Sequence, residues 1–169
     1  MPKEKRNYKV SSNLEIGSAR IGFRNFSGKE GKYNPKGRRN FCVFLDDKAL
    51  VKELENDGWN VRYLMPREED DDPQAYLQVT VSFKNFPPKV EMMTRKNKVI
   101  LDEGTIDSLD WADIENIDLV LRPYNWGPIN GKSGVKAYLK SAYVMVIEDQ
   151  FAAKYRDYPF NDEDDDEPV

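Results

Sequence analysis

The stretch AYLQVTVSF, residues 75–83, alternates apolar and polar side chains without a break. Ala75, Leu77, Val79, Val81 and Phe83 share one parity, and the Tyr, Gln, Thr and Ser residues between them share the other. Because successive side chains of a strand point to opposite faces, this period of two predicts a β-strand with one face in a core and the other toward solvent.

Similar patterns occur on both sides of this strand and predict further strands at 14–26, 41–45, 59–65, 118–126 and 135–148, with a hairpin over 90–101. Asp46 or Asp47 is expected to cap a helix that ends at Gly58, with Ala49, Val51, Leu50 and Leu54 toward the core. Helical turns are expected at 105–115 and 150–155, and a Gly-rich loop at 127–134. This content predicts a mainly β fold, an OB-fold-like antiparallel barrel with short helical insertions and extra hairpins.

Two residue counts limit the chemistry open to the chain of 169 residues. It contains no histidine and a single cysteine, Cys42. A disulfide within the chain, a zinc site built from clustered cysteines, and Ser-His-Asp or Cys-His catalysis are therefore excluded. We expect a protein that is not an enzyme and needs no cofactor.

The sequence also lacks the signals of a membrane or secreted protein. No apolar run reaches the roughly 20 residues of a membrane helix, and the charged residues at the start are not followed by the apolar core of a signal peptide. We therefore expect a cytoplasmic protein with no membrane contact.

The net charge of −4 conceals a strong segregation of charge along the chain. Residues 1–39 carry eleven Lys and Arg against three Glu, and residues 157–169 carry seven acids and no base. We predict a flexible N-terminal arm at 1–13, a folded domain at 14–156 and a disordered acidic tail at 157–169. The tail acids are Asp162, Glu163, Asp164, Asp165, Asp166 and Glu167.

The outward parity of the last two strands combines cations with aromatic rings. Arg122, Tyr124 and Trp126 share one face of the first strand, and Lys136, Tyr138 and Lys140 share one face of the second. The cations can neutralise phosphates, and the rings can stack on unpaired bases for about 1–3 kcal/mol per base. This chemistry is typical of single-stranded nucleic-acid binding.

A second basic region lies near the N-terminus and is expected to extend the same surface. The outward parity of the first strand contains Arg20, Arg24 and Phe26. The loop that follows is expected to be a flexible flap over the groove, and its candidate binding residues are Lys29, Lys32, Tyr33, Lys36, Arg38 and Arg39.

Simpler or different interpretations exist for each of these features. Exposed Tyr, Trp, Lys and Arg often do no more than cover a barrel and keep it soluble, and an acidic run is often a solubility tail. Residues 127–133 resemble a phosphate-binding loop, but three residues separate their glycines where the motif has four. A magnesium site is not expected from consecutive acids, although Asp46, Asp47, Asp102 and Glu103 remain candidates if the fold gathers them.

Five segments of the chain resemble sequences of a known protein family. They read RNFSGKEGKYN at 24–34, RNFCV at 39–43, DGWNV at 57–61, RPYNW at 122–126 and VKAYL at 135–139. Together they resemble phage single-stranded DNA-binding proteins of OB fold, over about residues 14–155. The resemblance implies a protein that coats transient single strands in replication, recombination and repair. It also implies an acidic tail that competes with DNA and recruits replication or recombination proteins.

The tail departs from one version of that pattern. In bacterial relatives the acids precede a terminal Pro-Phe, whereas here Pro159 and Phe160 precede the acids and the chain ends in Pro168-Val169. Electrostatic competition needs only the charges, so it remains expected. The alternatives are an RNA-binding module of the same fold, a protein-interaction adaptor and a metal-dependent nuclease; the residues do not indicate an oligomeric state.

Overall fold

The computed structural model describes residues 10–147, which form nine strands, one α-helix and one 3-10 helix. The strands are β1 (Leu14–Ile16), β2 (Arg20–Asn25), β3 (Arg39–Leu45), β4 (Val61–Leu64), β5 (Gln74–Val81), β6 (Lys89–Met93), β7 (Lys98–Leu101), β8 (Ile114–Ile129) and β9 (Lys132–Val146). Helix α1 spans Lys48–Asp57, and the 3-10 helix spans Ile106–Asp110. Neither helix is long and apolar enough to cross a membrane.

The strands form one sheet in the order β1-β8-β9-β5-β3-β2, to which β4 adds through β5 and β6–β7 through β9. The two ends of this path, β1 and β2, are consecutive along the chain. The backbone N–H of Ala19, between them, donates to the carbonyl of Ile117 on β8 at 2.8 Å. The sheet therefore curls until a three-residue bend connects its first and last strands, but it remains an open sheet, because β1 and β2 do not pair with each other.

The core fills the space inside this curled sheet. The largest of its fully buried side chains include Phe26, Phe41, Leu77, Ile106, Leu109, Ile117, Leu119 and Leu121. On β5 the buried residues are Ala75, Leu77, Val79 and Val81. The prediction from the alternation of residues 75–83 is thus confirmed for β5, whose apolar face packs in the core while the other face lies outside it.

The predicted mainly β class is confirmed, and so is the extra hairpin, which is formed by β6 and β7. The sheet is mixed rather than wholly antiparallel, because β9 pairs in parallel with β5 and with β6. The predicted loop at 127–134 is mostly strand. Its turn is only Asn130-Gly131, whose φ angles of +52° and +76° are typical of a type I′ hairpin turn.

The predicted parity of the first strand is wrong beyond Gly22. A register shift between Gly22 and Asn25 interrupts the pairing with β3, and Phe23 has a φ of +49°. Because the bulge adds a residue to one strand, it exchanges the two faces. Phe23 is consequently exposed, and Phe26 lies in the core, where its ring stacks on Phe41 with centroids 5.0 Å apart.

Helix α1 begins and ends where its capping residues predict. The Asp47 carboxylate accepts from the backbone N–H groups of Ala49 and Leu50, and Gly58 ends the helix with a left-handed φ of +94°. Val51 and Leu54 are buried as expected, whereas Ala49 is exposed. Of the predicted flexible arm at 1–13, Val10 is held by two hydrogen bonds with the Asn125 side chain, each 2.8 Å long. The rest of the arm before residue 10, the predicted helix at 150–155 and the acidic tail lie outside the described residues.

Candidate nucleic-acid interface

On the exposed surface of β8 and β9, the antiparallel register places cations opposite aromatic residues. Arg122 is opposite Tyr138, Tyr124 is opposite Lys136, and Trp126 is opposite Gly134. Leu119, Leu121, Ala137 and Leu139 take the other parity and are buried. Burial of these apolar residues fixes which side chains of the two strands remain outside.

Arg122 is the centre of this surface because its guanidinium contacts two aromatic rings. Its Cζ lies 5.1 Å from the ring centroid of Tyr138 and 5.0 Å from that of Phe86. The ring of Tyr124 lies beside Tyr138, with centroids 5.5 Å apart. We call Phe86, Arg122, Tyr124 and Tyr138 the aromatic platform.

Trp126 extends the surface past the platform toward the hairpin turn. Its indole packs over Gly134, where a Cβ atom would come within 2.9 Å of the ring. The close approach therefore requires glycine at position 134. The Trp126 Nε1 atom is buried and has no hydrogen-bond partner among the described residues.

The exposed surface of β8 and β9 continues onto β5 and β3, because β9 pairs with β5. Thr80 of β5 is opposite Tyr138 of β9 on one side and Asn40 of β3 on the other. Asn40, Thr80, Tyr138 and Arg122 thus form one row across four strands. We call the loop between β2 and β3 the basic loop. The row links the aromatic platform to β3, the strand that follows this loop.

A cleft of about 340 Å³ lies next to this row. Three cations line it, and they come from three parts of the chain: Arg38 from the basic loop, Arg62 from β4 and Lys136 from β9. Tyr33, Asn40, Asn60, Gln78 and Thr80 supply the rest of its polar lining. We call this the polar cleft; none of its lining residues is acidic.

The basic loop is a folded hairpin rather than the predicted flexible flap. The Asn34 side-chain amide donates to the carbonyls of Lys29, Pro35 and Arg38, and its Oδ1 accepts from Asn40 Nδ2 at 2.8 Å. The backbone N–H of Gly37 donates to the carbonyl of Gly28 at 2.8 Å. These bonds hold Tyr33 and Arg38 over the polar cleft.

The sequence-predicted residues fall into two groups. Arg122, Tyr124, Trp126, Lys136 and Tyr138 lie together, as predicted. Lys140 is exposed, but it is the unpaired residue of a bulge in β9 between Leu139 and Ser141, so the predicted alternation does not place it on their face. The loop residues Tyr33 and Arg38 reach the polar cleft. Lys29 and Lys32 are exposed on the loop, and Lys32 Nζ lies 5.4 Å from the ring centroid of Tyr33.

The second group has structural roles or lies elsewhere. Arg24 donates to the carbonyls of Leu109 and Ala112, and Arg20 donates to the carboxylate of Asp46 at 2.8 Å. That ion pair lowers the pKa of Asp46. Phe26 cannot stack on a base from the core, so its predicted role does not fit this structure. Lys36 and Arg39 line a second cleft beside Phe83, which adjoins the polar cleft because Arg38 and Thr80 line both. Arg39 also pairs with Glu103.

Three residues of the candidate interface, Phe86, Arg62 and Gln78, were not predicted from the sequence. Phe86 lies in the loop KNFPP between β5 and β6, and its ring is 67% exposed. An exposed aromatic residue in an Asn- and Pro-rich loop was the available signal. Arg62 and Gln78 occupy the outward parity of their strands, which was readable from the sequence, but nothing local places them beside Arg38 and Lys136.

Cys42 lies at the inner edge of this surface and has no apparent reactivity. It is opposite Gln78 in the β3–β5 pairing and is buried. Burial raises the pKa of the Cys42 thiol, and the nearby charge of Arg62 opposes this only in part. A thiol with a raised pKa stays protonated at neutral pH and is a weak nucleophile.

The candidate metal-binding acids are not gathered at one place. Asp46 pairs with Arg20, Asp47 caps helix α1, Asp102 accepts hydrogen bonds from Gly104 and Thr105, and Glu103 pairs with Arg39. Within residues 10–147 there is no group of three or more His, Cys, Asp or Glu side chains that could hold a metal ion.

Comparison with known proteins gives one family and one fold. The family model of a phage ssDNA-binding domain matches residues 3–167. The single-stranded DNA-binding protein from bacteriophage Enc34, solved in complex with ssDNA, is similar with a TM-score of 0.54 at 10% identity, over 82% of this chain and 89% of that chain.

Two more structures of the Enc34 protein have the same fold. One has a TM-score of 0.52 at 11% identity, over 82% of this chain and 83% of that chain. The other, a C-terminal truncation, has a TM-score of 0.50 at 10% identity, over 81% of this chain and 87% of that chain. No curated protein matches the sequence.

Proposed function

The chain belongs to the family of phage ssDNA-binding domains, and we propose that it binds single-stranded DNA on the aromatic platform and the cations around it. The observation that carries this proposal is the position of Arg122 between the rings of Phe86 and Tyr138. Solubility alone does not explain why Arg122 contacts two aromatic rings, with the ring of Tyr124 beside one of them. Such an arrangement can accept flat bases and phosphates at the same time.

Two forces contribute to the proposed binding. Bases stack on Tyr124, Tyr138 and Phe86, which favours unpaired strands because the bases of a duplex are already stacked on each other. Arg122, Lys136 and Lys140 neutralise phosphates and release counterions, so affinity falls as salt rises. Neither force needs a particular sequence, and neither needs a cofactor.

The cations of the interface are available for this role. Arg38, Arg62, Lys136 and Lys140 form no ion pair within residues 10–147, in contrast to Arg20 and Arg39. An unpaired surface cation does not have to break a contact in order to bind a phosphate. The cations predicted from the sequence therefore differ in their availability for phosphate, because the fold gives some of them an acidic partner and leaves others without one.

The proposed biological role is to coat and protect transient single strands of phage DNA in the host cytoplasm, during replication and recombination. Family membership supports this role, and so does the proposed binding that tolerates any sequence. The acidic run at 162–167 is proposed to compete with DNA for the cations and to recruit replication or recombination proteins.

The main test compares a single strand with a duplex of the same sequence and length. A Trp111→Phe variant is used because Trp111, at the end of the 3-10 helix, is 88% exposed and would add its own signal, whereas Trp59 is buried. We expect the single strand to quench the remaining fluorescence, chiefly that of Trp126, and to bind at least about tenfold more tightly than the duplex. Affinity should fall steeply between two salt concentrations.

Other outcomes of the same titration identify the alternatives. Equal affinity for duplex and single strand contradicts the proposal. Tighter binding of an RNA strand of the same sequence indicates an RNA-binding module instead. Absence of binding at low salt leaves the aromatic platform as a protein-interaction surface, which is the adaptor alternative.

Removal of the acidic tail is expected to tighten binding. A chain ending at Arg156 loses seven acids and no base. Because a tethered anion competes at high effective concentration, we expect the truncated chain to bind a single strand several-fold more tightly at low salt. The gain should shrink as salt rises, and it is measured by fluorescence anisotropy at three salt concentrations.

The matched control keeps the tail length and removes its charge. A chain in which each Asp or Glu of 157–169 is replaced by Asn or Gln should behave as the truncated chain does. If both variants bind as the wild type does at the lowest salt, the tail does not compete with DNA.

A further inference from the structure

The polar cleft adjoins the aromatic platform but has a different chemical character. Tyr33, at its rim, is the one aromatic residue of its lining, and three cations and three side-chain amides supply most of the rest. A volume of about 340 Å³ is close to the lower end of ligand pockets, roughly 300–1,000 Å³. This shape suits one polar group with a negative charge better than a stack of bases.

The cations of the cleft have no partner of their own. Among the described residues, the side chains of Arg38, Arg62 and Lys136 form no ion pair and no hydrogen bond with another residue. Like charges that share a cleft repel each other, so this arrangement is unfavourable until an anion binds. A phosphate diester offers oxygens that arginine contacts through two N–H groups at once.

Two of the three side-chain amides of the cleft are also free of hydrogen bonds with described residues. The side chains of Gln78 and Asn60 make no hydrogen bond with a described residue, whereas Asn40 is held by Asn34. An amide presents a donor and an acceptor side by side, and this pair matches base edges that present both. The cleft therefore contains the groups for a phosphate and the groups for a base edge.

The cleft is continuous with the aromatic platform. Lys136 and Tyr138 lie on the same face of β9, two residues or about 7 Å apart. Thr80, which also lines the cleft, is opposite Tyr138. A strand that stacks on the platform can therefore enter the cleft with its next nucleotides.

We propose that the polar cleft is a nucleotide subsite that reads the base. Arg38, Arg62 and Lys136 hold one phosphate, and Gln78 with Asn60 hydrogen-bonds the edge of the attached base. The proposal rests on the proposed function, because the strand reaches the cleft from the aromatic platform. It adds that binding at this one position depends on the base, while the platform tolerates any base.

The first arm of the test varies the length of the strand. One oligothymidylate has about three nucleotides, fewer than the roughly 4–16 that a single OB domain covers, and the other has about twelve. We expect Arg62→Gln to lower the affinity for the long strand about tenfold and to reduce the salt slope by about one, with no more than about a twofold effect on the short strand. Arg67→Gln, in the loop between β4 and β5, is the matched control and should bind both strands as the wild type does.

The second arm varies the base. The wild-type chain should distinguish strands of oligo-dA, oligo-dC and oligo-dT by about tenfold, and Gln78→Ala should reduce this spread to about twofold. Tyr124→Ala, on the platform, should weaken all three by a similar factor and keep their order. The contrast separates reading in the cleft from stacking on the platform.

The proposal requires both results. It is overturned if Arg62→Gln weakens the two lengths equally or neither of them, or if Gln78→Ala leaves the spread between bases unchanged. A wild-type chain that binds neither length contradicts the proposed function, and the subsite with it. A wild-type chain that binds both lengths, with Arg62→Gln inert, refutes the subsite alone.

Discussion

Arg122→Glu is expected to lower the affinity for single-stranded DNA by at least about 100-fold at low salt, or about 2.7 kcal/mol. The substitution removes the proposed phosphate contact, places a negative charge beside the proposed path of the strand, and removes the guanidinium that contacts both Phe86 and Tyr138. The loss of the contacts with the rings alone accounts for about 0.5–2 kcal/mol. Affinity is measured by anisotropy with a labelled oligothymidylate.

The matched control is Arg67→Glu, which makes the same change of charge in the exposed loop between β4 and β5. It alters the net charge equally, so it accounts for any long-range effect on association. We expect it to lower affinity by no more than about threefold at the same salt. Equal losses for the two variants would mean that net charge, and not the aromatic platform, determines binding.

The second large effect concerns the neighbouring residue on the opposite face. Leu121 is fully buried and is opposite Leu14 of β1 and Leu139 of β9. We expect Leu121→Ala to lower the free energy of unfolding by about 3–4 kcal/mol, because it removes buried methyl groups and leaves a cavity. Urea unfolding followed by circular dichroism measures the change.

Ile100→Ala is the control for this prediction, since Ile100 is 62% exposed and its truncation should change the free energy of unfolding by less than about 0.5 kcal/mol. Folded Leu121→Ala should also keep an affinity for single-stranded DNA within about threefold of the wild type. A loss of stability below about 1 kcal/mol would contradict the assignment of Leu121 to the core.

Together the two variants test the alternation of β8 directly. Arg122→Glu should lower the affinity for single-stranded DNA with little effect on the free energy of unfolding. Leu121→Ala should lower the free energy of unfolding with little effect on that affinity. Strand β8 thus contributes both a wall of the core and the proposed surface for nucleic acid, because its successive side chains point to opposite faces.

This alternation explains why much of the interface was predictable. The pattern of residues 118–140 assigns Leu119, Leu121, Ala137 and Leu139 to the core, and so assigns Arg122, Tyr124 and Tyr138 to the outside. The capping residues of α1 were readable for the same reason, because capping depends on residues only two or three positions apart. Local patterns carry information about local geometry.

The failures of prediction arise where local geometry is not regular. The bulge in β2 exchanges the faces after Gly22, and no periodic pattern records an added residue. The glycines of the basic loop predict flexibility, yet the side chain of Asn34 makes hydrogen bonds with four other residues of the loop and of β3. A composition rich in Gly, Pro and Asn does not distinguish a folded loop from an unfolded one.

By itself the sequence determined the mainly β class, the limits of helix α1 and the exposed faces of β8 and β9, because each depends on a repeat of two or on a few adjacent residues. Only the tertiary structure decided that Phe86 contacts Arg122, that Arg38, Arg62 and Lys136 share a cleft, and that Arg20 and Arg24 are already occupied. These facts depend on which strands pair and in which register. Such pairings join residues tens of positions apart, and the sum of many packing contacts fixes them, so no single stretch of sequence contains them.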